Sequence, residues 1–243
     1  MIKGLYRSAS AMIPRVKQQE TIANNIANAS SPGFKKDSVF TKELSRVQQK
    51  QMPRQADWQQ PMIDQIYTSY ENGPLDKTDN PLDIALEGTG FFVFQDEQGR
   101  EVLSRAGNLR VDENGFLINT EGLFLLGEGG PINVGEGSVT VGVGGQIEIN
   151  QVVIDTIRVV DVEDKNELVK ADNNSFLTPE GIEAVRVIDF AIRQGYLESS
   201  NVDIIKEMVS MIIAFRNYEA DARAVQTQDD SLEKLLNNVG RIR

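Results

Sequence analysis

Hydrophobic positions recur with a helical period at both ends of the chain and lose it in the middle. Ile204, Met208, Met211, Phe215, Tyr218, Ala222, Val225, Asp229, Leu232, Leu236 and Val239 follow one another in steps of four and three, and Asp229 alone interrupts the apolar series. This spacing puts a narrow stripe on one helix face and predicts a long helix, roughly 54 Å from end to end. Ser200 or Asn201 offers a cap at its start, Asp203 suits the positive helix end, and Gly240 can stop it. At the other terminus Leu5, Ala9, Met12, Val16, Ala23 and Ile26 form a second seam, with Gln19 filling its gap. Gly4 and Pro14 oppose that helix, so it is expected to begin or kink near Pro14. A stripe as long as the C-terminal one needs a partner. The N-terminal seam is shorter, which leaves two arrangements open: an intramolecular helical hairpin, or a stripe completed by other subunits.

Between the ends, short apolar runs alternate with turn residues. Strands are expected at 83–87, 90–94, 101–103, 115–118, 138–142, 146–150, 152–162 and 183–190. Asp96-Glu97-Gln98-Gly99 and Asp112-Glu113-Asn114-Gly115 have the form of hairpin loops with Gly at the left-handed position. The expected fold class is therefore α+β and discontinuous. Residues 1–36 and 197–243 form a helical, coiled-coil assembly domain, 81–196 an inserted all-β domain of many short strands, and 37–80 a tether with a short amphipathic stretch (Val39, Phe40, Leu44, Val47).

Composition narrows the chemistry. The 243 residues contain 36 acids and 25 bases, a formal charge of -11, which disfavours a nucleic-acid surface. There is no His and no Cys, so thiolate metal sites, disulfides and His-dependent nucleophilic triads are excluded from the chain. No apolar run approaches the ~20 residues of a membrane span, and the N-terminus has no continuous apolar segment of a secretory signal. The glycine stretches 127–130 and 142–145 lack the Lys-Ser/Thr ending of a phosphate loop and read as turns. The acidic stretches 161–164 and 172–174 do not follow a calcium loop. A paired-carboxylate glycan hydrolase is the enzyme class that the composition still allows, yet nothing singles out two carboxylates. No catalytic, cofactor or metal residues are assigned.

One polar stretch stands apart. Asn24, Asn25 and Asn28 lie on one helix face beside the apolar seam, and Ser31-Pro32-Gly33 follows. Asn is a poor helix former that marks caps and turns; on a seam it can also fix register between helices.

The run Ile22–Lys35, which contains those asparagines, resembles the N-terminal signature of the bacterial flagellar rod and hook protein family. The resemblance continues through Pro81–Phe92, Ser104–Leu109, Val111–Gly115 and Gly130–Ile132. It closes with Gly195–Asp203 and Glu207–Ile212. It implies a self-assembling axial subunit of the flagellar basal body, most like a proximal rod protein, with a distal rod or hook-type protein as the alternative. It implies assembly with copies of itself and with other axial proteins, and export through the flagellar type III apparatus without a cleaved signal. It implies no direct membrane insertion. The expected assembly interface joins the two seams and the Asn stripe: Leu5, Met12, Val16, Asn24, Asn25, Ile26, Asn28, Ile204, Met208, Met211, Phe215, Tyr218, Val225, Leu232 and Leu236. In the free monomer both ends are expected to be loose, so that proteases leave a core near residues 37–195.

Overall fold

A computed structural model describes residues 2–43, 61–135, 137–172, 174–179, 181–182 and 184–239. The chain divides into two compact units. One comprises Met1–Ala27, Asp37–Ser69 and Asp203–Arg243, and the other Asn28–Lys36 and Tyr70–Val202. The architecture is α+β, as the periodicities imply.

The first unit is built on helix α1, Ile2–Ala27, and helix α2, Ile204–Val239, which pack together. No Pro or Gly interrupts α2 over its 36 residues, which is why it persists. Asp203 caps it, accepting a 3.1 Å hydrogen bond from the Lys206 N–H. That bond holds the Asp203 carboxyl below the usual carboxylate range. The cap is therefore neither Ser200 nor Asn201. Ser200 Oγ accepts from Val202 N, and Asn201 bonds elsewhere in the second unit. Helix α1 runs unbroken through a buried Pro14 and does not start there. The segment expected as a tether includes an antiparallel pair, Asp37–Glu43 with Pro61–Thr68, bulged between Phe40 and Thr41. This pair packs on α1. Leu44 and Val47 of the expected amphipathic stretch, and Gly240, lie outside the described residues.

The second unit is the β domain. Its main sheet follows the order Val169–Asp172, Ser175–Leu177, Glu101–Ser104, Phe91–Gln95, Phe124–Leu125, Leu117–Ile118, Arg110–Val111; Val159–Asp161 joins Phe91–Gln95 and carries Val185–Arg186. Strand Phe91–Gln95 is buried on both faces. Phe92 and Phe94 enter one core with Leu125 and Val159, while Phe91 and Val93 enter the other with Leu126 and Val160. The period-2 alternation of side chains thus divides consecutive apolar residues between two cores, so this strand reads as a continuous apolar run. A three-stranded sheet (Val139–Val141, Gln146–Ile149, Val152–Thr156) and two strand pairs complete the unit. The pairs are Ile84–Glu87 with Ala191–Gln194 and Leu75–Lys77 with Tyr196–Glu198.

The expected strand 152–162 is two strands. At the break Ile157 N donates to Gly145 O and Arg158 N to Leu126 O, so the backbone changes partner there. Of 183–190, only Val185–Arg186 is a strand among the described residues. The hairpin loops fold as their residues dictate. The Asp96 and Asp112 carboxylates each accept from two backbone N–H groups within their loops, and Gly99 and Gly115 take φ of 85° and 87°.

Candidate assembly surface and buried charge cluster

In the helical unit the pairing of α1 with α2 is anchored by polar groups. Asn25 is buried on α1. Its Nδ2 donates to Asp37 O (2.7 Å) and to Glu207 Oε2 on α2 (3.3 Å), and its Oδ1 accepts from Asp37 N (3.0 Å). Thr68 Oγ1 donates to Asp37 Oδ1 at 2.7 Å, which ties in the end of the second strand. One Asn therefore links both helices and the strand pair. Asn24 is exposed. Asn28 is buried just past the helix end, in the second unit, where Ser31 donates to its carbonyl and to its Oδ1.

With Asn25 and Glu207 turned inward, the packed faces are offset from the expected seams. On α1, Pro14, Thr21, Ile22 and Asn25 are buried; Met12 and Ile26 are half-buried and Val16 is exposed. On α2, Glu207 and Ala214 are buried and Met211, Tyr218, Val225 and Leu232 half-buried, whereas Ile204, Met208 and Phe215 are exposed. The side chains of Leu5 and Leu236 lie outside those described. The seam residues of α2 thus divide into an inward set and an outward set. Ile205 (76% exposed), Met208, Val209, Ile212, Ile213 and Phe215 (54%) give the first three turns an apolar outward surface. The later turns present Arg223, Gln226, Thr227, Asp229 and Asp230 instead.

The β unit contains a charge cluster that periodicity does not reveal. Glu198 is 1% exposed and lies between two buried cations. Its Oε1 meets Lys35 Nζ at 2.7 Å and its Oε2 meets Arg105 Nη1 at 3.1 Å. Gly73 N donates to Oε1 (3.0 Å), Lys35 Nζ donates to Glu71 O (2.7 Å), and Arg105 donates to Leu86 O and Gly88 O (3.2 and 2.7 Å). The Arg105 guanidinium also stands 5.6 Å from the centre of the Phe91 ring. Burial pushes the Lys35 and Arg105 pKa values down, and the Glu198 charge opposes it. Gly33 permits the approach. Its N–H donates to Glu198 O (2.7 Å), its φ is +71°, and a Cβ there would lie 2.4 Å from Ala106 N. Lys170 closes over the same segment, 4.4 Å from the Phe34 ring centre. Lys35, Arg105 and Glu198 fall in three of the stretches that carry the resemblance, Ile22–Lys35, Ser104–Leu109 and Gly195–Asp203. Each reads in sequence as an ordinary surface charge, and only a Gly or Phe beside Lys35 hints at close packing.

Two concavities lie elsewhere in the β unit. A cavity of about 480 Å³ is lined by Asp96, Glu97, Arg100, Glu121 and Leu177 among others, and one of about 310 Å³ by Ile157, Arg186, Ile188 and Phe190 among others. Among the described residues no group of three or more acidic side chains is placed to hold a metal ion, and no helix is long and apolar enough to cross a membrane.

The helical unit thus combines a long terminal helix whose first turns expose apolar side chains with a polar anchor between α1 and α2, while the β unit gathers no catalytic group among the described residues. Residues 5–35 match the flagella basal body rod protein family, 85–155 the flagellar hook protein FlgE/F/G D1 domain, and 193–238 the flagellar basal body rod FlgEFG protein C-terminal domain. The chain is 32% identical to the flagellar basal-body rod protein FlgF of Salmonella typhimurium, over 95% of this chain and 96% of that one. It is 30% identical to FlgG of Buchnera aphidicola subsp. Schizaphis graminum (97% and 99%) and 29% identical to FlgF of Rhizobium meliloti (99% and 99%). The chain belongs to the flagellar basal-body rod protein family; it is a structural rod subunit and not an enzyme.

Proposed function

We propose that the protein is a proximal-rod subunit. It polymerises helically with copies of itself and related axial proteins, its terminal helices forming a coiled-coil layer, and the polymer transmits torque. The observation that carries this reading is the apolar outward surface of α2 at Ile205, Met208, Val209, Ile212 and Phe215. About half of each side chain is still to be buried, so covering them is worth on the order of 5 kcal/mol gross per subunit, before the ordering cost. The proximal position carries over the resemblance of the sequence to a proximal rod protein, and the aligned span sides with the relatives named FlgF. The chain aligns with relatives named FlgF over 247 to 251 positions and with those named FlgG over 261 to 273. That shorter span accords with the short segment after the first helix. Export through the flagellar type III apparatus, with no cleaved signal, completes the reading.

The test is electron microscopy of basal bodies from a strain lacking the gene, complemented with wild type or Phe215→Asp. The deletion should leave rods absent or stopped at the base, and the variant should fail to restore them although its monomer folds. Rods and hooks of normal length in the deletion strain would refute the assignment.

A further inference from the structure

The chain passes between its two units at 27/28, 36/37, 69/70 and 202/203. Within each unit the segments that lead to these crossings are fastened to one another by polar groups. In the β unit, Lys36 N donates to Asn201 Oδ1 (2.8 Å) and Asn201 Nδ2 donates to Glu71 O (3.1 Å). Lys35 Nζ reaches the same carbonyl at 2.7 Å and Glu198 at 2.7 Å. Three segments far apart in sequence, around residues 35, 71 and 200, are thereby joined. In the helical unit, Asn25 holds Asp37 and Glu207, and Asp37 holds Thr68, which joins the four segments on that side.

We propose that these are two load clamps. Each unit gathers the lengths of chain that leave it, so that tension carried along the backbone is divided among the crossings. A segment held alone opens one bond at a time, as a local unfolding event of low free energy. Segments cross-linked by a shared side chain must open together, because each of their bonds spans two of them. Asn201 and Asn25 suit this role: the Asn201 amide donates to one segment and accepts from another, and the Asn25 amide exchanges bonds with Asp37 while donating to Glu207. The inference rests on the protein being a torque-bearing rod subunit.

The test compares Asn201→Ala with Ile192→Val, a β-core control of similar thermal stability. In the purified full-length protein, hydrogen exchange at the Lys36 amide should accelerate about fivefold in Asn201→Ala and stay unchanged in the control. In cells, both variants should build rods and swim normally in dilute buffer. In a medium thickened with methylcellulose the Asn201→Ala strain should slow about twofold more than the control, and should shed hooks with broken rod stubs. Equal slowing and shedding would overturn the proposal. So would absence of rods from Asn201→Ala alone, because the residue would then act in assembly. A deletion strain with normal rods would instead defeat the underlying assignment.

Discussion

Replacing Glu198 with Gln removes the one anion that two buried cations share. The side chain keeps nearly the same shape, but it loses its charge and one of its two acceptor oxygens, so its NH2 must face either the Lys35 and Gly73 donors or the Arg105 donor. At separations of 2.7 and 3.1 Å and an effective dielectric near 20, the lost attractions are about 6 and about 5 kcal/mol gross. Relaxation and water entry return part of this. Removing one partner of a buried pair typically leaves a net cost of about 3–5 kcal/mol. For a domain of this size that lowers the unfolding temperature by on the order of 10 °C. Calorimetry of the wild type, Glu198→Gln, Lys35→Met and the double variant at neutral pH would measure both the loss and the coupling. The double variant should recover part of the single-variant loss, because one of the stranded cations is gone. A loss below about 1 kcal/mol, typical of an exposed pair, would show that the cluster is solvated and would refute this reasoning.

The same cluster makes a pH prediction. Burial holds the Lys35 pKa below its ordinary value, so between the two values the unfolded chain binds the extra proton and stability rises with pH. The gap in melting temperature between wild type and Lys35→Met should therefore shift in favour of wild type as pH rises toward the ordinary lysine range. Gly33→Ala should destabilise the β unit by more than the ~1 kcal/mol of an ordinary positive-φ site, because its Cβ meets the backbone of Ala106; thermal unfolding checks it. Asn25→Ala removes two hydrogen bonds to the Asp37 backbone and one to Glu207, at about 1 kcal/mol each; circular dichroism of the helices should show an earlier loss. Ala214→Asp should separate α1 from α2 in the monomer, whereas Phe215→Asp should leave the monomer within about 0.5 kcal/mol of wild type and still abolish swimming.

The helices and turns were legible because their signals are local. Steps of four and three mark α2 from its sequence alone, and Asp112 to Gly115 spells out a loop in which each residue has a defined conformational job. The register of the helix pair was not legible. Met208 and Phe215 are as apolar as Met211 and Tyr218, and the latter share the inward face with Glu207, whose bond to Asn25 joins residues 182 positions apart. The break at Ile157–Arg158 was hidden for a similar reason, since apolar character persists while the hydrogen-bond partner changes. The Lys35–Arg105–Glu198 cluster was the least legible. Its partners are 163 and 93 positions apart, and buried charge leaves no periodic trace.

The bond between Lys36 and Asn201 has a consequence for the order of events when the chain folds. The two residues are 165 positions apart and touch in the finished β unit at 2.8 Å. Closing so long a loop in an unfolded chain is entropically unfavourable, and contacts of such separation form late. Once the β unit is complete that loop is closed, and only residues 28–35 and 202–203 separate α1 and α2 from the joined pair. Helix pairing then becomes a local search between tethered segments. Completion of the β unit therefore shortens the loop that helix pairing has to close, which lowers the entropic cost of that step.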